Sequence, residues 1–328
     1  AGYPIMLKAS LGGGGRGIRR VESETDLLLQ LPVARTEAKS AFNDDSLYVE
    51  KCIEAPRHVE VQILADMHGN VIHLGTRDCS IQRRHQKLLE IAPADLPKDV
   101  LGRMYEAAIA AARGSGYVNA GTVEFLVDSK TNDFWFMEVN TRLQVEHTVT
   151  EELTGVDIVR QQIRIAQGEK IDIPSERIHM LGKAVQVRIN AEDPKNNFMP
   201  EGGKTVEVYH SPGGPGIRLD GLVYQGYKIP TEYDSLMVKL TCRGYDWGET
   251  IDRLKRALLG FNIVGPKTTI PFYLAICDEP DFRAGRFDTG YIETHPEIFD
   301  YPETEREVAK LAKLIAEIHV KKINPYAY

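Results

Sequence analysis

The stretch F-W-F-M-E-V-N-T-R-L-Q-V-E-H-T-V-T-E, Phe134 to Glu151, decides how this chain is read. It opens as an apolar strand of aromatics and then turns polar at every second position: Glu138, Asn140, Arg142, Gln144 and Glu146. If the segment stays extended, all five side chains leave one face, and Val139, Leu143 and Val145 point into a core. Two carboxylates, two amides and one guanidinium form a set able to hold a cation and an anion side by side. An ordinary half-buried strand is the plain alternative, and only the rest of the chain argues against it.

Working upstream, Gly121–Val127 is a buried strand interrupted by one carboxylate, Glu124, and the polar turn Asp128–Asp133 joins it to the opening stretch as a hairpin. A hairpin centred near Thr131 sets Glu124 opposite Glu138, although a slip of one residue would put Glu124 on the other face. Two facing carboxylates repel without a cation between them, and with an amide oxygen they form the hard-oxygen set that suits Mg²⁺ when phosphates complete its shell. His58, Glu60 and Gln62 share one face of an alternating strand, His58–Leu64, which pairs with Val71–Leu74. Arg77–Lys87 is the most basic stretch. Such a run is usually a solvated loop, but its place after a strand and the spacing of His85 and Lys87 keep anion binding open.

Near the start, a short strand ends at Lys8 and runs into Gly12-Gly13-Gly14-Gly15-Arg16-Gly17. Gly12, Gly14 and Gly17 match G-x-G-x-x-G, a weak pattern by itself. Ile18–Val21 reads as a second strand rather than a helix, and no Lys-Ser or Lys-Thr follows, so neither a dinucleotide fingerprint nor a Walker A loop fits. A glycine flap between two strands remains, with backbone N–H groups able to approach phosphate. Ser23–Phe42 reads as a helix capped through Ser23 and Asp26 and broken or kinked at Pro32. Lys98–Arg113 is an amphipathic helix. Val156–Ala166 is a further helix, residues 179–241 are strand-rich, and Gln186, Arg188 and Asn190 share a face of one strand. Helices follow at Trp247–Phe261 and Thr304–Ile318.

The 328 residues carry a net charge of -7, which gives no global basic field for nucleic acid. No apolar run approaches the roughly 20 residues that span a bilayer. Cys52, Cys79, Cys242 and Cys277 stand far apart without C-x-x-C spacing, so no zinc site or disulfide framework is signalled, and a reducing compartment is expected. The chain begins without Met and at once with a turn and strand, as a piece of something longer would.

Taken in order, K-A-S-L-G-G-G-G-R-G (Lys8–Gly17), E-K-C-I (Glu50–Ile53), R-D-C-S-I-Q-R-R-H-Q-K (Arg77–Lys87), G-T-V-E-F (Gly121–Phe125) and E-V-N-T-R-L-Q-V-E-H-T-V-T-E-E (Glu138–Glu152) resemble the biotin carboxylase component of biotin-dependent carboxylases, an ATP-grasp family. V-R-I-N-A-E-D-P (Val187–Pro194) and Y-D-S-L-M-V-K-L (Tyr233–Leu240) continue the resemblance, which leans toward pyruvate carboxylase-like chains. It implies an α+β protein: an ATP-grasp fold, with a glycine-flap lid and a mixed or antiparallel sheet core, followed by a biotin carboxylase C-terminal α/β domain. The implied boundaries are 1–56 for the partial lid, 57–178 for the core, 179–300 for the C-terminal domain and 301–328 for a helix and linker start. A Rossmann-like domain that precedes these in the family is not in the sequence, and the isolated chain is expected to be inactive.

The implied reaction is a two-step one: ATP phosphorylates bicarbonate to carboxyphosphate, and CO₂ is then captured by a biotin ring nitrogen. By the same resemblance, ATP is held by Lys8, Gly13, Gly14, Gly15, Gly17, Glu50, Lys51, His58, Gln82, His85, Glu124 and Glu138. One or two Mg²⁺ (or Mn²⁺) sit on Glu124, Glu138 and Asn140, and bicarbonate on Lys87, Arg142, Gln144 and the backbone of Val145. Glu146 is the implied general base, and Arg188 meets biotin and stabilises its enolate. Implied partners are a biotin carboxyl carrier domain, a carboxyltransferase domain or subunit and a second copy of the chain, in the cytoplasm or, in a eukaryote, the mitochondrial matrix. The rival readings are another ATP-grasp ligase, such as a carbamoyl phosphate synthetase half or a purine carboxylase, and a non-catalytic docking module. The first would lack the R-R-H-Q-K run and the Q-V-E-H continuation.

Overall fold

A computed structural model describes residues 2–12, 17–84, 86–174, 178 and 180–302. A small sheet at the amino end has the order β2-β1-β3, with β1 at Ile5–Ala9, β2 at Ile18–Val21 and β3 at Leu47–Lys51. Helix α1 (Glu24–Phe42) closes it, packing Ala34 against Ile5, Leu7 and Val21. Ser23 Oγ accepts from the Asp26 amide, and Asp26 in turn accepts from the Glu22 amide, so the start of α1 is capped as expected. Pro32 does not break this helix. Its missing N–H deprives the Leu28 carbonyl of a partner, and Leu28 is exposed, so water can take that place.

The body is one eight-stranded sheet of order β10-β9-β4-β5-β8-β11-β16-β15, and each of its ladders is antiparallel. In chain order come β4 (Pro56–Ala65), β5 (Val71–Asp78), the separate two-stranded hairpin β6 (Gln82–Arg83) and β7 (Gln86–Lys87), β8 (Leu89–Ala92), β9 (Asn119–Asp128) and β10 (Phe134–Asn140). Helix α2 (Lys98–Gly114) lies between β8 and β9 in sequence, and α3 (His147–Thr154) and α4 (Ile158–Ala166) follow β10. Then come β11 (Lys183–Asn190), the two-residue β12 (Glu192–Asp193) and β13 (Met199–Pro200), β14 (Val208–His210), β15 (Ile217–Gly221), β16 (Leu236–Gly244) and α5 (Trp247–Leu259). The last described elements are β17 (Asn262–Val264), α6 (Ile270–Asp278), α7 (Pro280–Arg283) and α8 (Tyr291–Thr294). The sheet runs on across residue 178, because β8 pairs directly with β11. The helix expected at Thr304–Ile318 and the segment 301–328 fall, beyond Pro302, outside the described residues.

The two faces of the sheet differ in chemistry. One is apolar: Val59, Val61 and Ile63 of β4 and Val123, Phe125 and Val127 of β9 pack on the Val100–Met104–Ala108–Ala112 stripe of α2. On the same face Val185, Val187 and Ile189 of β11 pack with Leu240 and Cys242 of β16 on Ile251, Leu254 and Leu258 of α5. The other face carries a polar row. Glu138, Glu124, Glu60 and Arg77 are directly opposed partners across β10, β9, β4 and β5. Past a two-residue step, which keeps the face, Glu90, Gln186, Thr241 and Arg218 are opposed across β8, β11, β16 and β15.

Two features depart from expectation. The opening stretch is not one extended strand, because β10 stops at Asn140 and residues 141–146 turn into α3, which the alternation concealed. In addition, a bulge at Met137 shifts the β9–β10 register between Phe136 and Glu138. Phe136 pairs with Phe125 on the apolar side, yet Glu138 still pairs with Glu124 on the polar side. Without the extra residue, continuing the Phe136–Phe125 register would set Glu138 against Val123 on the core face.

Candidate active site

The polar face of the sheet opens into a cleft of about 1930 Å³. That exceeds the roughly 300–1,000 Å³ of ordinary ligand pockets and leaves room for a nucleotide beside a second reactant. Its walls come from both sheets and from the loops around Ser235 and Thr289.

Lys87 is the hub of its floor. The ammonium lies 2.6 Å from Glu60 Oε2, 2.7 Å from Glu124 Oε1 and 2.8 Å from Glu146 Oε1. Burial works against this charge, but the surrounding carboxylates raise its pKa well above the usual lysine value. Glu60 is bonded through its other oxygen to Arg77, which is fully buried and also donates to Gln62 Oε1 (2.8 Å), Thr150 Oγ1 (2.9 Å) and Thr122 Oγ1 (3.1 Å). Burial and the Glu60 charge push the Glu146 carboxyl up, but Lys87, Arg188 and Arg77 outweigh them and hold it below the carboxylate range. Burial likewise opposes ionisation of Glu124, and His58 (Nε2 3.1 Å away) with Lys87 brings it to about 2.

Glu146 meets a second cation, the Arg188 Nη2 at 3.1 Å, and the same Nη2 lies 2.6 Å from Glu90 Oε1. Helix α3 is laid over this face by two hydroxyls. Thr148 bonds Gln186 and lies 2.7 Å from Thr241 Oγ1, and Thr150 takes Arg77. That tertiary demand makes a helix of a β-branched sequence with poor intrinsic preference.

The 141–146 turn brings its side chains to the cleft by a different route from the one expected. Arg142 donates to Gln144 Oε1 (2.9 Å) and reaches Asn140 Oδ1 at 3.4 Å. Val145 lines the cleft rather than a core, and its carbonyl accepts from Lys239 at 3.1 Å. Glu138, Asn140, Arg142 and Gln144 line the same wall. On the small sheet, Lys8 sits 2.5 Å from Glu50 Oε2, and Lys8, Glu50 and Lys51 face the cleft with His58 and Gln82. Gly17 has φ +72°, and a Cβ there would come within 2.9 Å of Ala9 Cβ, so the hairpin needs glycine at this position. Gly13, Gly14, Gly15 and His85 lie outside the described residues.

Arg77–Lys87 is not a solvated loop. Arg77, Asp78, Cys79, Ser80 and Ile81 are buried, and only the β6–β7 hairpin approaches solvent. Glu90 was not anticipated. It is a lone carboxylate in the apolar run Leu89–Ala92, the same signal that singled out Glu124. All four cysteines are free and buried. Among the described residues no helix is long and apolar enough to cross a membrane.

The chemistry of the donors separates two places for a cation. His58, Glu60 and Glu124 place ligand atoms within 4.8 Å of one another, and so do Glu60, Cys79 and Glu146, but Lys87, Arg77 and Arg188 already pair with the carboxylates of both groups. The outer pair Glu124 and Glu138, with Asn140 beyond, puts hard oxygens at the cleft wall that suit a phosphate-bound Mg²⁺, which would share Glu124 with Lys87 and His58.

The sheet, its polar row and the acidic hairpin define an ATP-grasp protein. The chain belongs to the biotin carboxylase family: residues 1–173 match the model of the carbamoyl-phosphate synthase L chain ATP binding domain, and residues 186–294 that of the biotin carboxylase C-terminal domain. It is 49% identical to the 2-oxoglutarate carboxylase small subunit of Hydrogenobacter thermophilus, covering 97% of this chain and 68% of that protein. Against the Bacillus subtilis pyruvate carboxylase it is 47% identical over 97% of this chain, but spans only 28% of that protein. The crystal structure of the H. thermophilus 2-oxoglutarate carboxylase biotin carboxylase domain dimer, with MgADP, ADP and bicarbonate, superposes with a TM-score of 0.87 at 50% identity, covering 92% of this chain and 66% of that one. Rhizobium etli pyruvate carboxylase superposes equally well, 0.87 at 45% identity, covering 97% of this chain and 29% of that one.

Proposed function

We propose that this chain is the catalytic part of a biotin carboxylase, which uses ATP and bicarbonate to carboxylate biotin on a carrier domain through carboxyphosphate. The observation that carries the reading is the convergence of Lys87 and Arg188 on the buried Glu146 carboxylate, beside a wall of Arg142, Gln144 and the oxygen donors Glu124, Glu138 and Asn140. The H. thermophilus structure that holds MgADP, ADP and bicarbonate supports the choice of substrates. The match of residues 186–294 to a biotin carboxylase C-terminal domain favours this reading over a carbamoyl phosphate synthetase half.

Lys8, Glu50, Lys51, His58 and Gln82 line the half of the cleft assigned to the nucleotide, and the family resemblance assigns the glycine flap and His85 to the same ligand. Glu124, Glu138 and Asn140 would hold Mg²⁺, which neutralises phosphate charge during transfer. Arg142 offers a planar fork for bicarbonate, with Gln144, Lys87 and the Val145 backbone around it. Glu146 takes the bicarbonate proton. Its carboxyl is ionised but weakly basic while Lys87 and Arg188 both press on it. When Lys87 turns to the incoming anion, Glu146 loses one cation and becomes a better base. Arg188, which cannot give up its own proton, steadies the biotin enolate. The carrier, a carboxyltransferase and a second copy of the chain are the proposed partners.

In the full-length protein that carries this chain, Glu146→Gln is expected to abolish bicarbonate-dependent ADP release while ATP binding by calorimetry persists. Arg188→Ala should cut biotin carboxylation more than ADP release. Retained turnover in the first variant moves the base elsewhere, and equal losses in the second remove the enolate role.

A further inference from the structure

The cleft floor contains a buried carboxylate that the proposed chemistry leaves unused. Glu90 is fully buried on β8, and both oxygens are engaged: Oε1 accepts from Arg188 Nε at 2.9 Å and Nη2 at 2.6 Å, and Oε2 accepts from Gln186 Nε2 at 3.0 Å. Gln186 is bonded in turn to Thr148, which meets Thr241. Glu90 is therefore the anchor of a bonded line that runs from α3 and β16 through β11 to the guanidinium. Arg188 Nη2 is also the group that Glu146 touches, at 3.1 Å, so two carboxylates compete for one N–H edge.

We propose that Glu90 is the positioning residue for Arg188: by gripping Nε and Nη2 it aims the guanidinium across the cleft floor and limits its contact with Glu146 to the one Nη2 bond. This rests on the reading of Arg188 as the group that meets biotin. Charge balance gives Glu90 a second property. Four carboxylates (Glu60, Glu90, Glu124 and Glu146) face three cations (Arg77, Lys87 and Arg188). Glu60 touches two of these cations, as does Glu146, and Glu124 touches Lys87 with His58 beside it; Glu90 touches Arg188 alone. The carboxylate with the fewest partners takes up a proton first. Burial pushes Glu90 up and Arg188 pulls it down, but the Glu146 charge adds to the rise and it reaches about 7. Its other charged or titratable neighbours are Lys87, Cys79, Lys239 of β16 and Tyr273 of α6.

The line can accommodate the proton. A protonated Oε2 would face the Gln186 amide nitrogen, donor against donor, unless that amide turns over, and the Thr148 and Thr241 hydroxyls can each donate or accept. Below pH 7 the grip of Glu90 weakens and Arg188 shifts toward Glu146; above it the guanidinium is held in place.

The test uses the full-length protein with free biotin as the probe, comparing carboxybiotin formation with bicarbonate-dependent ADP release in the absence of biotin. Glu90→Gln is expected to lower kcat/KM for biotin by roughly tenfold to a hundredfold, the cost of misaiming one group, while ADP release falls by less than about threefold. Wild-type carboxylation should rise with pH through about 7, and E90Q should lose that limb. Equal losses in both assays, or a limb that survives in E90Q, overturn the proposal. Should E90Q fail to fold by thermal unfolding, the wild-type profile decides alone, and carboxylation that is flat across pH 7 overturns it. A wild type without bicarbonate-dependent ADP release sinks the functional reading itself, a result distinct from a turning-over enzyme that ignores E90Q.

Discussion

Two lysines face the same cleft with ion pairs of nearly equal length and opposite consequence. Lys87 lies 2.6–2.8 Å from three carboxylates, its own side chain 12% exposed and theirs 0–5%. Lys8 lies 2.5 Å from Glu50, with side chains 19% and 45% exposed. Charges removed from water repay their desolvation only while every partner is present, whereas an exposed pair is worth little and is easily exchanged. The floor is thus a preorganised cluster whose members cannot be taken singly. The small sheet holds a cation that can leave a carboxylate for a phosphate at small cost. Chemistry that needs fixed electrostatics sits on the first, and binding that must form and dissolve sits on the second.

The largest effect is expected at the hub. Lys87→Met takes one cation from each of three buried carboxylates, leaving Glu124 without a lysine or arginine partner, and should destabilise the fold by about 3–5 kcal/mol, measured by equilibrium denaturation at neutral pH. Loss of the ammonium raises the folded-state pKa values of Glu60, Glu124 and Glu146, so protonation relieves the variant. Its deficit against wild type should therefore shrink as pH falls toward 5. A loss under about 1 kcal/mol would place Lys87 in the same class as Lys8 and break the comparison.

A smaller effect follows from Glu124, held at about 2 in the folded state. A carboxyl depressed on folding stabilises above its unfolded value near 4.5, and that contribution disappears as pH falls through 2. Wild-type stability should drop between pH 4.5 and 2. The drop should be shallower in Glu124→Gln, which has no such proton to gain. Parallel pH profiles for the two proteins would show that Glu124 is not held by the cluster.

Much of this floor is legible in sequence and part of it is not, for physical reasons. Strand alternation alone puts His58, Glu60 and Gln62 on one face, since side-chain period is a local property, whereas the pairing of Glu124 with Glu138 depends on the Met137 bulge as well as on hairpin length. The Met137 bulge is invisible there because it reconciles two tertiary demands, Phe134 and Phe136 beside Phe125 on one face and Glu138 beside Glu124 on the other. Helix α3 was hidden for a related reason. H-T-V-T-E-E-L-T is rich in β-branched residues and follows directly on an alternating run, and it becomes helical where Thr148 and Thr150 reach partners on β11, β16 and β5. Arg142, Gln144 and Glu146 reach the cleft nonetheless, two on its wall and one beneath it, carried by a turn rather than by an extended strand. Glu90 could have been read from its apolar neighbours, but its bond to Arg188 joins residues 98 positions apart.

The smallest effect on stability should come from the exposed member of the pair of lysines. Lys8→Ala removes a partly solvated ion pair, and its unfolding free energy should stay within about 1 kcal/mol of wild type. Nucleotide affinity should respond differently. A charge-assisted contact from Lys8 to a phosphate oxygen is worth about 1.5–3 kcal/mol, so ATP binding by calorimetry should weaken by roughly tenfold or more. Glu50→Gln sharpens the point from the other side. It frees the ammonium without removing it, so affinity for the triphosphate should hold or rise if Glu50 only parks Lys8 between ligands. If E50Q binds ATP as weakly as K8A, the carboxylate itself touches the nucleotide, and the small sheet is then preorganised in the same sense as the floor.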